Sequence, residues 1–129
     1  MPLPAETVIA AEGLSVAPDG IRLAVRLPWY RSLPLSTVVI EALSIDGTDV
    51  PLDVLRFELD DGSWTLAELA DATDRLWFVL DSAHLKMPAG VDLDPARDHV
   101  VDLTITIFPP YIPGLRRANR QAETLRLAA

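Results

Sequence analysis

The chain alternates. From Gly20 to Leu27 (GIRLAVRL) the positions Ile21, Leu23, Val25 and Leu27 are apolar, with Arg22, Ala24 and Arg26 between them. The period returns at 99–108 (HVVDLTITIF), where Val101, Leu103, Ile105 and Ile107 alternate with Asp102, Thr104 and Thr106. Successive side chains of an extended strand point to opposite faces, so a period of two sets one face on a core and the other in water. Residues 36–45 (STVVIEALSI) are β-branched and long enough for a strand. Asp46-Gly47 and the following TDVPLD predict a hairpin with a returning strand, and Asp61-Gly62 joins VLRFEL to SWTL in the same way. Residues 75–80 (RLWFVL) predict a short strand covered on both faces, and 123–127 (ETLRL) a final one.

One helical turn interrupts the series. Thr65 and Glu68 have the spacing of a capping box, and LAELADA continues with good helix formers for about two turns. Many short strands divided by Gly, Pro and Asp, with almost no helix, define the expected fold class: all-β, an antiparallel, jelly-roll-like β-sandwich with one short helical turn. The eleven prolines fall between or at the ends of the strand runs. The 129 residues are one domain's worth of chain, so 1–129 is read as a single sandwich. The stretch 115–122 is locally basic within an acidic chain and reads as a mobile arm or a docking segment.

Half the residues are hydrophobic, more than a monomer this small needs inside, and a surplus of apolar side chains tends to lie at an interface. The net charge of −8 opposes binding to nucleic acid phosphates and to an anionic membrane surface. No run reaches the ~20 apolar residues of a membrane span, and the first residues lack the basic and apolar regions of a secretory signal, so a cytoplasmic protein is expected. With no cysteine, neither a disulfide framework nor a thiolate metal site is available.

Catalytic constellations are equally sparse. His84 and His99 stand on different segments, neither with a second histidine at ligand spacing, and a zinc site needs three or four converging ligands. Asp92 and Asp94 lack the regular oxygen spacing and the glycine of a calcium loop, and read as a solvated turn. Asp46, Asp49, Asp60 and Asp61 belong to hairpin turns, where Asp is favoured for backbone reasons. Ser36 has no Gly-x-Ser-x-Gly frame, and there is no glycine-rich phosphate loop. The residues predict no catalytic set, cofactor or structural metal in this chain.

Two segments are left over. PWYRSLPLS at 28–36 and FPPYIPGLRR at 108–117 both combine aromatics, prolines and arginine. Proline-stiffened loops bearing Trp, Tyr and Arg lose little entropy on binding, and these residue types dominate interface hot spots. Trp29, Tyr30, Arg31, Pro34, Tyr111, Pro113 and Arg116 are therefore the candidate partner-interface residues. The plainer alternative is that Trp29, Tyr30 and Tyr111 close the ends of the core and Arg31 is solvated.

In order and content these motifs are similar to one family. DGIRLAVRLPWYRSLPLS, IDG, WTLAEL, RLWFVLDSAHL and HVVDLTITIFPPYIP together resemble the small β subunit of the bacterial C-glycoside deglycosidases, over nearly the whole chain. The resemblance implies a β-sandwich that assembles with a larger α subunit, similar to TIM-barrel sugar isomerases and epimerases, in a heteromer of several αβ pairs. It implies that a divalent metal, manganese, and the acid/base residues belong to the α subunit. The reaction it implies cleaves the carbon–carbon bond between sugar and aromatic aglycone of a 3-keto C-glycoside: the ketone acidifies the C2 proton, and its removal lets the C1–aryl bond break. WYRSLPLS then faces the α subunit. Ser32 departs from the family's pattern, in which a small residue such as glycine is expected.

Three other functions are compatible with the residues. A stand-alone carbohydrate-binding module would stack sugars on Trp29, Tyr30 and Trp64; a jelly-roll enzyme would hide a site around His84 and His99; a structural domain would dimerise.

Overall fold

The computed structural model describes residues 7–88 and 93–128. Its strands are β1 (Ile9–Ala17), β2 (Gly20–Val25), β3 (Leu33–Pro34), β4 (Val38–Ile45), β5 (Thr48–Asp49), β6 (Arg56–Leu59), β7 (Gly62–Thr65), β8 (Leu76–Trp77), β9 (Ala83–Pro88), β10 (Asp98–Ile107) and β11 (Arg117–Arg126). They form a five-stranded sheet in the order β1-β2-β9-β6-β7, a four-stranded sheet in the order β11-β10-β4-β5, and the small pair β3-β8. Every pairing between these strands is antiparallel. The apolar faces of the two sheets share one hydrophobic cluster, so the fold is an antiparallel β-sandwich.

Alternation places the core as the sequence predicts. Ile21, Leu23 and Val25 of β2 face Val101, Leu103 and Ile105 of β10, all six buried. Trp77 and Phe57 meet edge to face, ring centroids 5.2 Å apart, and fill the centre. Asp46 and Gly47 take φ of 54° and 81°, the left-handed pair that a two-residue hairpin turn requires. Close approach, rather than φ, demands glycine at Gly20, where a Cβ would lie 1.9 Å from the Met87 carbonyl oxygen on the neighbouring strand. Gly20→Ala is expected to push β2 from β9 and to cost about 1–3 kcal/mol, measurable by denaturant titration.

Several expectations need correction. The returning strand after Gly47 is only Thr48–Asp49, because Pro51 carries no N–H for a ladder and the chain turns at Leu52–Val54. The second hairpin turns on Asp60 and Asp61, Asp60 at φ 53°, while Gly62 already pairs with Leu59 in β7. A Cβ at Gly62 would come within 2.3 Å of the far edge of the Trp64 ring, which would have to move. Ser36 and Thr37 belong to a 3₁₀ turn rather than to β4. The capping box forms, Thr65 N–H to Glu68 Oε1 at 2.7 Å and Glu68 N–H to Thr65 Oγ1 at 3.2 Å, but opens a five-residue 3₁₀ turn instead of two α-helical turns.

Two further corrections bear on function. Residues 75–80 are not a strand covered on both faces: β8 has two residues, and Leu76, Phe78 and Leu80 are exposed. The stretch from Arg117 is no mobile arm, since Arg117–Arg126 pairs in continuous register with all of β10. β1 and β9 are strands that the alternation reading passed over. The edges of the two sheets are tied where Gln121 Oε1 accepts the N–H groups of Val8 and Ile9, each at 3.0 Å, and where Val16 N–H donates to the Ala128 carbonyl at 3.0 Å.

Candidate functional site

The loop that leaves β2 is held at many points. Arg26 N–H donates to the Val8 carbonyl at 2.8 Å, Trp29 N–H to the Leu27 carbonyl at 2.8 Å, and Leu35 N–H to the Arg75 carbonyl at 2.9 Å. Leu33 and Leu35 are buried, and Leu33 pairs with Trp77. The second segment is anchored to the first by Phe108 N–H donating to the Thr37 carbonyl at 2.9 Å. It then folds through Ile112 N–H to the Pro109 carbonyl (3.1 Å) and Leu115 N–H to the Ile112 carbonyl (3.2 Å). Gly114, at φ 80°, makes the bend that sends the chain into β11.

The two segments, some eighty residues apart in sequence, meet side chain to side chain. Trp29 Nε1–H donates to the Tyr111 hydroxyl. The Trp29 and Tyr30 rings lie 4.8 Å apart at 43°. Arg31 sits 5.2 Å from the Tyr111 ring centroid and Arg117 5.6 Å from that of Trp29. Such contacts contribute about 0.5–1 kcal/mol each at an exposed site, so their main effect is to fix the guanidinium planes. A hydrogen bond with the Tyr111 hydroxyl, with partial burial, raises Tyr30 above the ordinary phenol value, so Tyr30 stays neutral at physiological pH.

These positions divide between the two readings of the leftover segments. Trp29 is buried and closes the end of the core. Tyr30 is 61% exposed and Tyr111 46%, with Arg31 exposed beside them, so the core does not account for those three. Pro34 is half-buried and pairs with Leu76 in the small β3-β8 sheet, a scaffold position. Pro113 is exposed in the turn before Gly114, and Arg116 reaches Glu41 at 3.2 Å on the outer face of β4. The hydroxyl of Ser32 accepts the N–H of Val79 at 2.9 Å, a brace that glycine in its place would not supply. Sequence reading missed Phe78 and Leu80, which join this end of the sandwich. Exposure alternates there, with Leu76, Phe78 and Leu80 out and Trp77 and Val79 in, but all five are apolar, so the sequence carries no signal of it.

The histidines do not come together. His84 lies on the outer face of β9, beside a groove of about 550 Å³ that Arg22, Glu58 and Ser63 also line. Arg22 Nε and Glu58 Oε1 are paired there at 2.7 Å. His99 is in the other sheet and buried, its Nδ1 2.7 Å from Asp46 Oδ2 and its Nε2 2.8 Å from the Asp94 carbonyl. Both neighbours can accept, so the geometry favours a proton on each ring nitrogen, and Asp46 raises the imidazole above its ordinary value. Asp46 therefore does more than turn a hairpin, because its other oxygen accepts Val100 N–H at 2.9 Å and pins the turn to β10. Asp92 lies outside the described residues; the Asp94 carboxylate accepts the Ala96 N–H at 2.8 Å. Among the described residues no three His, Asp or Glu side chains group as metal ligands.

The pair predicts a pH profile. Asp46 raises His99 above the ordinary 6.5, so the imidazolium's contribution is complete below 6.5 and is lost as pH rises through the folded value. His99 and the Val100 N–H lower Asp46 below 3.8, so its contribution is present above 3.8 and is lost as pH falls through its folded value. The melting temperature of the wild type should therefore approach that of His99→Gln as pH rises above neutrality. A gap between the two proteins that is constant from pH 5 to 9 would mean that His99 is not charged.

Trp29, Tyr30 and Trp64 do not form one exposed platform for stacking sugars. Trp29 is buried, and Trp64 is half-buried against Phe57 with Arg75 5.0 Å from its ring centroid, which leaves Tyr30 alone exposed among the three. No helix of the described residues is long and apolar enough to cross a membrane.

Fold and surface together define a class: an antiparallel β-sandwich with a rigid aromatic and arginine cluster at one end and, among the described residues, no clustered metal ligands. The family model for the C-glycoside deglycosidase beta subunit matches residues 7–111. The chain belongs to the C-glycoside deglycosidase beta subunit family. It is 40% identical over 119 residues to the 3'-dehydrocarminate deglycosidase beta subunit of a Microbacterium species, covering 92% of this chain and 89% of that one. It is 41% identical over 96 residues to a C-glycoside deglycosidase beta subunit of Microbacterium trichothecenolyticum (73% and 72%). A C-glycoside deglycosidase beta subunit of Arthrobacter globiformis is 38% identical over 95 residues (74% and 72%).

Proposed function

We propose that this chain is the small, non-catalytic subunit of a heteromeric C-glycoside deglycosidase and docks a larger α subunit through Tyr30, Arg31 and Tyr111. The observation that carries the proposal is the cluster itself: two distant segments converge on an exposed, braced set of aromatics and arginines that the core does not need. Membership of a family of beta subunits supports a partner chain. In this reading the partner is TIM-barrel-like and several αβ pairs assemble in the cytoplasm.

The substrate is a 3-keto C-glycoside, the class that the name 3'-dehydrocarminate describes in one relative. The complex acts as a lyase: a base takes the acidified C2 proton, and the C1–C2 double bond forms as the C1–aryl bond breaks. The aryl carbon, which leaves with the bond's electron pair, takes up a proton from an acid of the larger subunit. The divalent metal, manganese, and the base belong to the larger subunit; no cluster fit to hold the ion is present among the described residues of this chain. What this chain supplies is a rigid, partly apolar surface that orders and shields its partner.

The test is reconstitution. The larger subunit is assayed on a 3-keto C-glycoside alone, with this chain, and this chain is assayed by itself. Turnover is expected only with the larger subunit present and to rise, saturably, as this chain is added. Turnover by this chain alone, or a larger subunit indifferent to it, would overturn the proposal.

A further inference from the structure

We infer that the turn at 78–81, with Phe78 and Leu80 on its surface, is a second anchor that seats in an apolar socket of the larger subunit; the inference rests on the reading that a larger subunit docks at this end of the sandwich. The turn closes where Asp81 N–H donates to the Phe78 carbonyl at 2.9 Å, and it leaves Leu80 82% and Phe78 57% exposed. Turn tips ordinarily carry Gly, Asn, Asp or Ser, which serve the backbone and water. Leucine there serves neither, and the core gains nothing from it.

The turn is fixed in place from both sides. Val79 N–H donates to Ser32 Oγ at 2.9 Å, and the Val79 carbonyl accepts Arg26 Nη2–H at 3.3 Å. Below it, Trp77 is fully buried and its Nε1–H donates to the Asp81 carbonyl at 2.8 Å. A surface feature already ordered gives up little entropy when it binds. Ser32 follows Tyr30 and Arg31 directly, so one loop braces the aromatic cluster on one side and the apolar turn on the other.

Charge decides which occupant fits. A contact between two copies of this chain across a two-fold axis sets the surface against itself. Arg31 and Arg117 form no ion pair among the described residues, and both stand over the aromatic rings of this end. Self-contact would press guanidinium towards guanidinium. The chain as a whole carries −8, and the turn itself holds one carboxylate, Asp81. The two guanidiniums of Arg31 and Arg117 nevertheless stand free of ion pairs among the described residues and would be complemented by carboxylates on the rim of the partner's apolar socket.

The experiment incorporates the photo-crosslinking residue p-benzoylphenylalanine at Leu80 in the full chain, co-expressed with the larger subunit and irradiated. In parallel, the double variant Phe78→Ser/Leu80→Ser is titrated against the larger subunit, its melting temperature checked against wild type. A crosslink to the larger subunit, with affinity at least tenfold weaker for the double variant, is the expected result. A crosslink to a second copy of this chain overturns the inference. So does a complex that forms with no crosslink at Leu80 and with wild-type affinity for the double variant, and in that case docking through Tyr30 and Arg31 still stands. If Tyr30→Ala, Arg31→Ala and the double variant all bind as wild type, the docking reading fails and this inference fails with it.

Discussion

Leu103→Ala is expected to cost the fold about 2–5 kcal/mol, a large share of the ~5–15 kcal/mol that holds a domain together. Leu103 is fully buried near the middle of β10, with Leu43 of β4 on one side and Gln121 of β11 on the other. Its side chain points between the sheets, where neighbours on central strands cannot collapse onto the vacated space, so the transfer loss and the cavity add. At roughly 3–5 °C per kcal/mol for a domain of this size, the midpoint should fall by about 6–25 °C. Thr104→Ala, one position along and facing outward, should change it far less. A sharp loss at Thr104 with none at Leu103 would place the strand in the opposite register.

The second large effect is on assembly. Tyr30→Ala is expected to weaken binding of the larger subunit by more than ~2 kcal/mol, which is well over tenfold in affinity. Its ring is exposed in the isolated chain yet tilted against Trp29, so truncation removes contact area without opening the core. Arg31→Ala should act in the same direction, and Arg31→Lys should rescue it poorly, because lysine lacks the planar, multi-donor head that stacks over Tyr111. The melting temperature should hold for both. Trp29→Ala is a different case: Trp29 is buried and is expected to reduce stability itself.

What the sequence made legible was whatever alternated. β2 and β10 lie in the interior of their sheets with one face on the core, so burial wrote a period of two into them. β1 was hidden because Gly13, at φ 64°, falls within an irregularity between Ile9 and Leu14 that shifts the phase of the strand. β11 was read only at its end, as the strand expected over 123–127, and its first part was hidden for another reason. It is an edge strand whose sequence, RANRQAETLR, turns mostly polar residues outward, and Asn119 is its one buried position. Its pairing with β10 comes from backbone groups, which composition does not record. β9 was readable, since Ala83, Leu85 and Met87 are buried and His84 and Lys86 are not.

The candidate surface was legible in part. Aromatics and prolines marked both segments, but that they meet is a consequence of the sandwich: β10 ends beside β4, bringing Phe108 to Thr37 and Tyr111 to Trp29. Phe78 and Leu80 were obscured because five apolar residues in a row, Leu76 to Leu80, look like a covered strand. Trp77 is fully buried and Val79 packs partly against the core, while Leu76 and Phe78 on the other side are exposed.

The central claim, that this chain contributes surface and not chemistry, is tested most directly by one titration. The larger subunit is held fixed while wild-type chain or Tyr30→Ala is raised over three decades of concentration, with complex and turnover of a 3-keto C-glycoside measured in the same samples. The account predicts that Tyr30→Ala needs at least tenfold more chain to reach half-maximal turnover and then attains the wild-type maximum, with turnover following complex throughout. A complex that saturates as wild type does while turnover stays low would contradict it and place Tyr30 in the chemistry.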